Sequence, residues 1–420
     1  MATGRLVFFL LLIAFLITTV NAALQGYIPA INGAGLDRDE IIERYFNLGL
    51  QHHEIINFLS VAHGIIISLR QLKRVLKKRQ LKRSTRQVDL GRVISAIESE
   101  LERGANGIGY RAMWQRLRNE HKIVVSREIV RQALRIIDPE GVAQRLRHRL
   151  RRRQYRAKGP NFLWHIDGYD KLKPYGFCIH GCIDGFSRRI MWLEVGTTNN
   201  DSRVVAKYFL DCVKQIGGMP SIVRADYGTE NVKIAGVQRF LRRHGSDSFA
   251  GTKSFMYGRS VSNQRIESWW SLLRKSCTDW WISHFKDLRD FGSYSDHNIL
   301  HVECLKFCYM PVIRNELQRV AIHWNTHRIR PSTNPNSPSG RPDTLYFVPS
   351  LTSPDCKNIS DDNEIAIAEQ HCCRDIPPDC MPSFMRLAQI LMGELGLQSP
   401  NSPEAAKDLY LKLTSAIENI

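Results

Sequence analysis

The hydrophobic pattern changes period at Phe162, and this change limits the fold more than any other feature of the chain. Residues 162–167 run apolar into Asp167, residues 177–184 repeat the pattern into Asp184, and residues 189–195 follow across Gly185-Phe186-Ser187. Short apolar runs bounded by turn residues read as strands, and the second and third as a hairpin. Residues 202–216 return to a helical period through Val204, Val205, Tyr208, Phe209, Cys212 and Val213. Residues 221–226 form a short buried strand ending in Asp226, and residues 237–243 a helix carrying Arg239, Arg242 and Arg243. Ser262 and Asn263 open a further helix that contains Glu267. Three strands in a meander, then helix, strand and two helices, predict an α/β layered domain.

Asp167 and Asp226 both end apolar strands in this reading, so parallel neighbours would bring the two carboxylates to one edge of the sheet. The last helix buries Ile266, Trp269, Trp270, Leu273 and Cys277, and its opposite stripe is Asn263, Glu267, Ser271 and Arg274. That spacing points Glu267 away from its own apolar face, towards the sheet edge. Three carboxylates brought together repel unless cations neutralise them. Oxygen ligands without thiol or imidazole suit Mg²⁺ or Mn²⁺. Two such ions about 4 Å apart activate an attacking hydroxyl or water and stabilise the leaving oxygen in phosphoryl displacement. Each acid has a plainer alternative. Asp167 with Gly168 is also a turn former, Asp170 or Asp184 is an alternative ligand, Asp226-Tyr227-Gly228 reads as a turn, and Glu267 as a solvated helix acid.

Upstream the chain is helical and basic. Residues 37–79 read as helix, glycine turn, helix, then a helix capped by Ser68 that carries Arg70, Lys73, Arg74, Lys77, Lys78 and Arg79. This is the layout of a helix-turn-helix, and its basic face can neutralise phosphates; the alternative is a helical bundle with a solvated face. Residues 88–137 repeat the theme, with Ser126 capping the last helix, as a second helix-turn-helix-like unit or a spacer or dimerisation bundle. A dense block follows that contains Arg151, Arg152 and Arg153, either a DNA-backbone clamp or an import signal. The net charge of +18 and pI near 9.6 favour a polyanionic partner, DNA above all. Lys171, Lys173, Arg224, Arg265, Arg274 and Lys275 are further candidate phosphate contacts, and Tyr227 and Asn231 candidate positioning groups. The aromatic cluster Trp269, Trp270, Trp280 and Trp281 reads as core.

The runs Trp164-His165-Ile166-Asp167-Gly168, Asp226-Tyr227-Gly228-Thr229-Glu230-Asn231 and Asn263-Gln264-Arg265-Ile266-Glu267-Ser268-Trp269-Trp270 resemble the Asp-Asp-Glu core of retroviral integrases and cut-and-paste transposases. The group most similar is the integrase core domain-containing proteins of animal genomes, over roughly residues 158–340. The resemblance implies a ribonuclease H-like fold, a mixed sheet flanked by helices. It also implies that Asp167, Asp226 and Glu267 bind two Mg²⁺ ions for DNA cleavage or strand transfer, in an enzyme that acts as a homo-oligomer without a small-molecule cofactor. Two features depart from the retroviral pattern. The gap from Asp226 to Glu267 is longer by a few residues, which fits an insertion around residues 245–251, and the zinc-binding His/Cys module at the N-terminus is missing. The contrasting functional reading is a catalytically silent, domesticated DNA-binding or regulatory protein.

The N-terminus stands apart. Arg5, an apolar stretch over residues 6–20 and Asn21-Ala22-Ala23 have the form of a secretory signal. This conflicts with the nucleus that DNA chemistry requires, and membrane association follows only if this leader is real and uncleaved. Ten cysteines without a Cys-x-x-Cys pair argue against a zinc ribbon or finger; Cys178, Cys182 and Cys212 read as reduced core thiols, while the last four could pair in a secreted chain. The expected organisation is a leader at 1–22, a helix-turn-helix-like unit at 37–85 and a second helical unit at 86–140. A basic linker at 141–158, the catalytic core at 159–345 and a tail of unassigned role at 346–420 complete it.

Overall fold

A computed structural model describes residues 36–83, 89–103, 108–146, 157–331, 338–348 and 353–419 of the protein. The leader and the linker arginines Arg151, Arg152 and Arg153 lie outside the described residues. The chain divides into two compact units, Met1–Leu81 and Lys82–Ile420.

The first unit contains α1 (Arg38–Asn47), α2 (His52–His63) and α3 (Leu69–Lys78). Asp37 and Glu40 form a reciprocal capping box at the start of α1, and Ser68 with Gln71 forms another at α3, so two helix starts are set by local sequence. Gly64 ends α2 in the left-handed region at φ 64°, where a side chain would be strained. Ile42, Tyr45, Phe46, Ile55, Phe58, Leu59 and Leu72 are buried as one face of each helix. Arg70, Lys73, Arg74, Lys77 and Lys78 are all exposed on α3.

In the second unit, α4 (Leu90–Glu102), α5 (Tyr110–Asn119) and α6 (Arg127–Ile137) pack around Val93, Ile97, Met113, Leu117, Val130 and Leu134, and α7 (Pro139–Leu146) follows. Ser126 caps α6 as the sequence predicts, by accepting a bond from the Ile129 amide. The α4–α6 bundle is fastened to the rest of its unit by buried charges. Arg116 pairs with Glu100 at 2.9 Å and lies 3.8 Å from Glu316, while Gln115 donates to the Thr326 hydroxyl at 2.5 Å.

The sheet comprises β1 (Leu163–Tyr169), β2 (Cys178–Asp184), β3 (Ile190–Gly196), β4 (Ile222–Ala225) and β5 (Phe255–Tyr257) in the order β3-β2-β1-β4-β5. The pairs β1/β2 and β2/β3 are antiparallel, whereas β1/β4 and β4/β5 are parallel. The flanking helices are α8 (Ser202–Ile216), α9 (Val232–Leu241), α10 (Gln264–Leu273), α11 (Asp279–Asp290) and the long α12 (Ile299–Thr326), with a π-helical turn at Arg274–Thr278 joining α10 to α11. This is the mixed sheet flanked by helices expected of a ribonuclease H-like core, preceded by all-helical units. On one face of β1, Trp164 packs edge-on against Trp192 and Phe209, which is the α8 side. Asn325 of α12 exchanges two hydrogen bonds with the Ile190 backbone, at 2.8 and 3.0 Å, and so covers the open edge of β3.

Several sequence expectations are corrected. β1 does not stop at Asp167, because Gly168 and Tyr169 continue the ladder opposite His180 and Ile179. The region around residues 245–251 leads into a fifth strand too short to carry a strand period of its own. Ser262 belongs to a 3₁₀ turn rather than to α10. Residues 353–419 are built into the folded body. The Cys356 amide bonds to the Pro160 carbonyl, Met219 bridges to Asn358, and α14 (Asp362–Cys372) sends Glu369 to Lys207 and Lys214 of α8, beyond the short α13 (Pro342–Phe347). The terminal helices α15 (Pro382–Glu394) and α16 (Pro403–Glu418) pack on α12. All ten cysteines are free thiols, so the last four make no disulfide. Among the described residues no helix is long and apolar enough to cross a membrane.

Candidate active site

Alternation along β1 places His165, Asp167 and Tyr169 on one face, and each side chain is met by a polar partner from the stretch that runs from the cap of α10 through the π-helical turn. His165 Nδ1 bonds with the Asn263 side-chain oxygen at 2.7 Å, the Trp270 indole N–H donates to Asp167 Oδ2 at 2.8 Å, and the Tyr169 hydroxyl bonds with Thr278 at 2.7 Å. Asn263 also donates to the Ile166 carbonyl at 2.8 Å. These bonds fix the direction and register of α10 over β1, and Glu267 sits one turn beyond the Asn263 anchor. Burial holds His165 neutral, with its pKa down to about 3. Replacing Asn263 with alanine removes both anchoring bonds at a fully buried position, and urea unfolding should show a loss of about 1–3 kcal/mol; an unchanged midpoint would contradict this account.

β4 is parallel to β1, with Leu163 opposite Ile222 and His165 opposite Arg224, so Asp226, just past the end of β4, emerges at the same edge as Asp167. Asp226 accepts weak bonds from the Gly228 amide at 3.2 Å and the Asn231 side chain at 3.3 Å. Asp167 and Glu267 both feel the charge of Asp226. Burial pushes the Asp167 carboxyl up to about 7, and the nearby Glu267 and Asp226 charges add to this against the pull of the Trp270 N–H. Glu267 is raised by burial and by Asp226. A fourth carboxylate, Glu230, accepts from Asn231 at 2.8 Å and is raised by burial, Asp226 and Asp170.

The alternative acids are committed elsewhere. Asp184 is fully buried and accepts from the Asn161 amide and from both the amide and the hydroxyl of Ser187, which builds the β2–β3 turn. Asp170 is tied to Asn199 at 2.7 Å and to Lys173 at 3.0 Å. Several candidate phosphate contacts are also engaged within the chain. Arg265 donates to the Gly185 carbonyl, Arg274 pairs with Asp279, Arg224 donates to the Ser262 carbonyl, and Lys173 also reaches Asn200. Lys171 and Lys275 are exposed, as is Tyr227, which stacks on Tyr257 at 5.9 Å. Trp269, Trp270 and Trp281 are buried as the core reading requires, and Trp280 is half-buried.

Two site residues escaped the sequence reading. The helical spacing puts Trp270 on the apolar face of α10 and Asn263 on its outer stripe, yet both are buried with their polar atoms on β1. The available signal was spacing, because Trp270 lies three residues after Glu267 and hence on a neighbouring stripe of the helix. Among the described residues, no three His, Cys, Asp or Glu side chains gather closely enough to form a metal-holding group. The donor set nonetheless has the right chemistry for a hard divalent cation. It consists of carboxylates alone, and the charges of its neighbours add to the burial that raises Asp167 and Glu267, a cost that a cation would offset.

No curated protein matches the chain. Residues 154–355 match the family described as the integrase core domain, which spans the whole sheet, α8 to α12 and all three acids. A mixed sheet in this strand order, with two aspartates delivered by adjacent parallel strands and a glutamate by the helix packed on β1 and β2, is therefore the frame of an integrase core domain-containing protein.

Proposed function

We propose that the protein is a DNA-processing polynucleotidyl transferase of the integrase and transposase type, which cleaves or transfers DNA strands. The observation that supports this best is the delivery of Asp167 and Asp226 to one sheet edge by parallel strands, with the Asp226 and Glu267 charges adding to the burial that raises Asp167, inside an integrase core domain. These three carboxylates would hold Mg²⁺ or Mn²⁺, with two ions expected; bound there, the metal supplies Lewis-acid stabilisation of the developing phosphate charge. The chain's own residues set the frame. Asn263 fixes α10 on β1, Trp270 orients Asp167, and Asn231 steadies Asp226 and Glu230. Glu267→Gln provides the test. Calorimetric titration of Mn²⁺ into the full-length protein should show saturable binding that the variant loses. Metal-dependent nicking of a DNA duplex should vanish with it. Binding and nicking absent from the wild type, even with DNA present, would favour the silent DNA-binding alternative.

DNA is the proposed partner, and the exposed row Arg70, Lys73, Arg74, Lys77 and Lys78 on α3 the proposed backbone contact. Each phosphate neutralised contributes about 0.9 to the slope of log affinity against log salt. Lys73→Ala with Lys77→Ala should therefore flatten that slope by about 1.8 in a filter-binding series; an unchanged slope would remove α3 from the interface. Work on DNA implies a nuclear location, with which the secretory form of the leader conflicts. Sequencing the mature N-terminus tests this. A homo-oligomer is proposed as the acting form.

A further inference from the structure

We propose that Trp270 is a positioning residue for Asp167, its indole N–H holding one carboxylate oxygen so that the other is presented to a divalent cation. This deepens the reading of the three acids as a metal site and rests on it.

Three independent features place the indole. Its N–H donates to Asp167 Oδ2 at 2.8 Å within a buried environment. Its ring lies 5.1 Å from the Tyr169 ring, two residues along β1 on the same face. Its outer edge lies over Gly181, the residue directly opposite Asp167 in the β1/β2 register. A Cβ built at Gly181 would stand 2.8 Å from Trp270 Cη2, closer than real side chains approach. The missing side chain on β2 is thus what leaves room for the indole against the strand.

A tryptophan donates one hydrogen bond and accepts none. It therefore engages Asp167 only as an acceptor and fixes which oxygen is occupied. The Gly168 backbone N–H also acts on the carboxylate, while Oδ2 is taken by the indole. The same bond orients the carboxylate plane at no cost in added charge, which a lysine or arginine at this position could not do beside a cation. Outer partners of metal-ligating side chains commonly contribute tenfold to a hundredfold in metal affinity. Packing alone would demand the ring but not the N–H.

Trp270→Phe in the full-length protein keeps an aromatic side chain at this position and removes the donor, at the cost of a small cavity. Calorimetry should show Mn²⁺ affinity falling about tenfold or more in a variant that still unfolds cooperatively, its metal-free melting temperature lowered by the cavity and the unpaired carboxylate oxygen. Gly181→Ala, which displaces the indole from the other side, should weaken Mn²⁺ binding as well. The direct signature is the Trp270 indole resonance, one of eight in ¹⁵N-tryptophan spectra and assigned by its loss in Trp270→Phe. It should shift on Mg²⁺ addition in the wild type and stay still in Asp167→Asn. Wild-type Mn²⁺ affinity in Trp270→Phe, or an indole signal unmoved at saturating Mg²⁺, overturns the positioning role and leaves the metal site standing. Absence of metal binding by the wild type overturns both.

Discussion

Asp167→Asn is expected to stabilise the metal-free protein at pH 8 while abolishing metal-dependent cleavage. The carboxyl is held at about 7, against an ordinary value of 3.8, first by burial and then by the charges of Glu267 and Asp226. Because the folded value lies above the unfolded one, the native state binds the extra proton between these two values. Stability therefore falls as pH rises through roughly 4 to 7, and the full penalty is present above pH 7. The shift corresponds to on the order of 4 kcal/mol, and asparagine removes it while its side-chain oxygen still accepts from Trp270. Urea unfolding at pH 8 should show the variant more stable than the wild type by a few kcal/mol, and the gap should close towards pH 4. A variant no more stable than the wild type at pH 8 would mean that Asp167 carries no such strain. Cleavage should fall about a thousandfold, since metal stabilisation of several kcal/mol is lost and each 1.36 kcal/mol is tenfold. A more stable fold with less activity marks a site whose destabilising charge is kept for chemistry.

The second large effect lies outside the acids. Glu100 is fully buried, 2.9 Å from Arg116, 2.9 Å from His121 and 3.4 Å from Arg319. Burial pushes its carboxyl up, but Arg116, His121 and Arg319 together bring it down to about 2. Glu100→Ala leaves Arg116, itself buried, with Glu316 at 3.8 Å as its remaining acidic partner. Breaking such a pair costs about 3–5 kcal/mol, a large share of the roughly 5–15 kcal/mol that holds a typical domain. The folded value lies below the ordinary 4.5, so this contribution is complete above pH 4.5 and is lost as pH falls through 2. The difference between variant and wild type in urea midpoint should therefore be full at pH 7 and shrink in that acid window. Replacing Glu100 and Arg116 together by methionine should cost less than Glu100→Ala, because no charge is left stranded. A loss below 1 kcal/mol in Glu100→Ala would show that solvent reaches the cluster.

This clamp also changes how the second helical unit is understood. Its pattern from Leu90 to Leu134 predicts a helix-turn-helix-like bundle, and the helices and the Ser126 cap form as expected. The pattern carries no sign that Arg116 turns inward. An arginine in α5 reads as surface until Glu100 and Glu316 are found around it, and those partners sit on α4 and α12.

The same division runs through the whole protein. The strand period from Phe162, the capping boxes at Asp37 and Ser68, and the order strand, Asp167, strand, Asp226, helix, Glu267 were legible because each depends on residues within one turn or one strand of each other. Periodicity and capping are local physics, written where they act. The partners of buried polar atoms are not local. Trp270 finds Asp167 across 103 residues, His165 finds Asn263 across 98, and Gln115 finds Thr326 across 211. Burial obliges each such group to find a partner, but the amino-acid order does not name it. The sequence thus determined that two aspartates and a glutamate could share a sheet edge. Tertiary packing decided that Asp184 builds a turn instead, that β5 widens the sheet, and that an indole over a glycine holds the first aspartate in place.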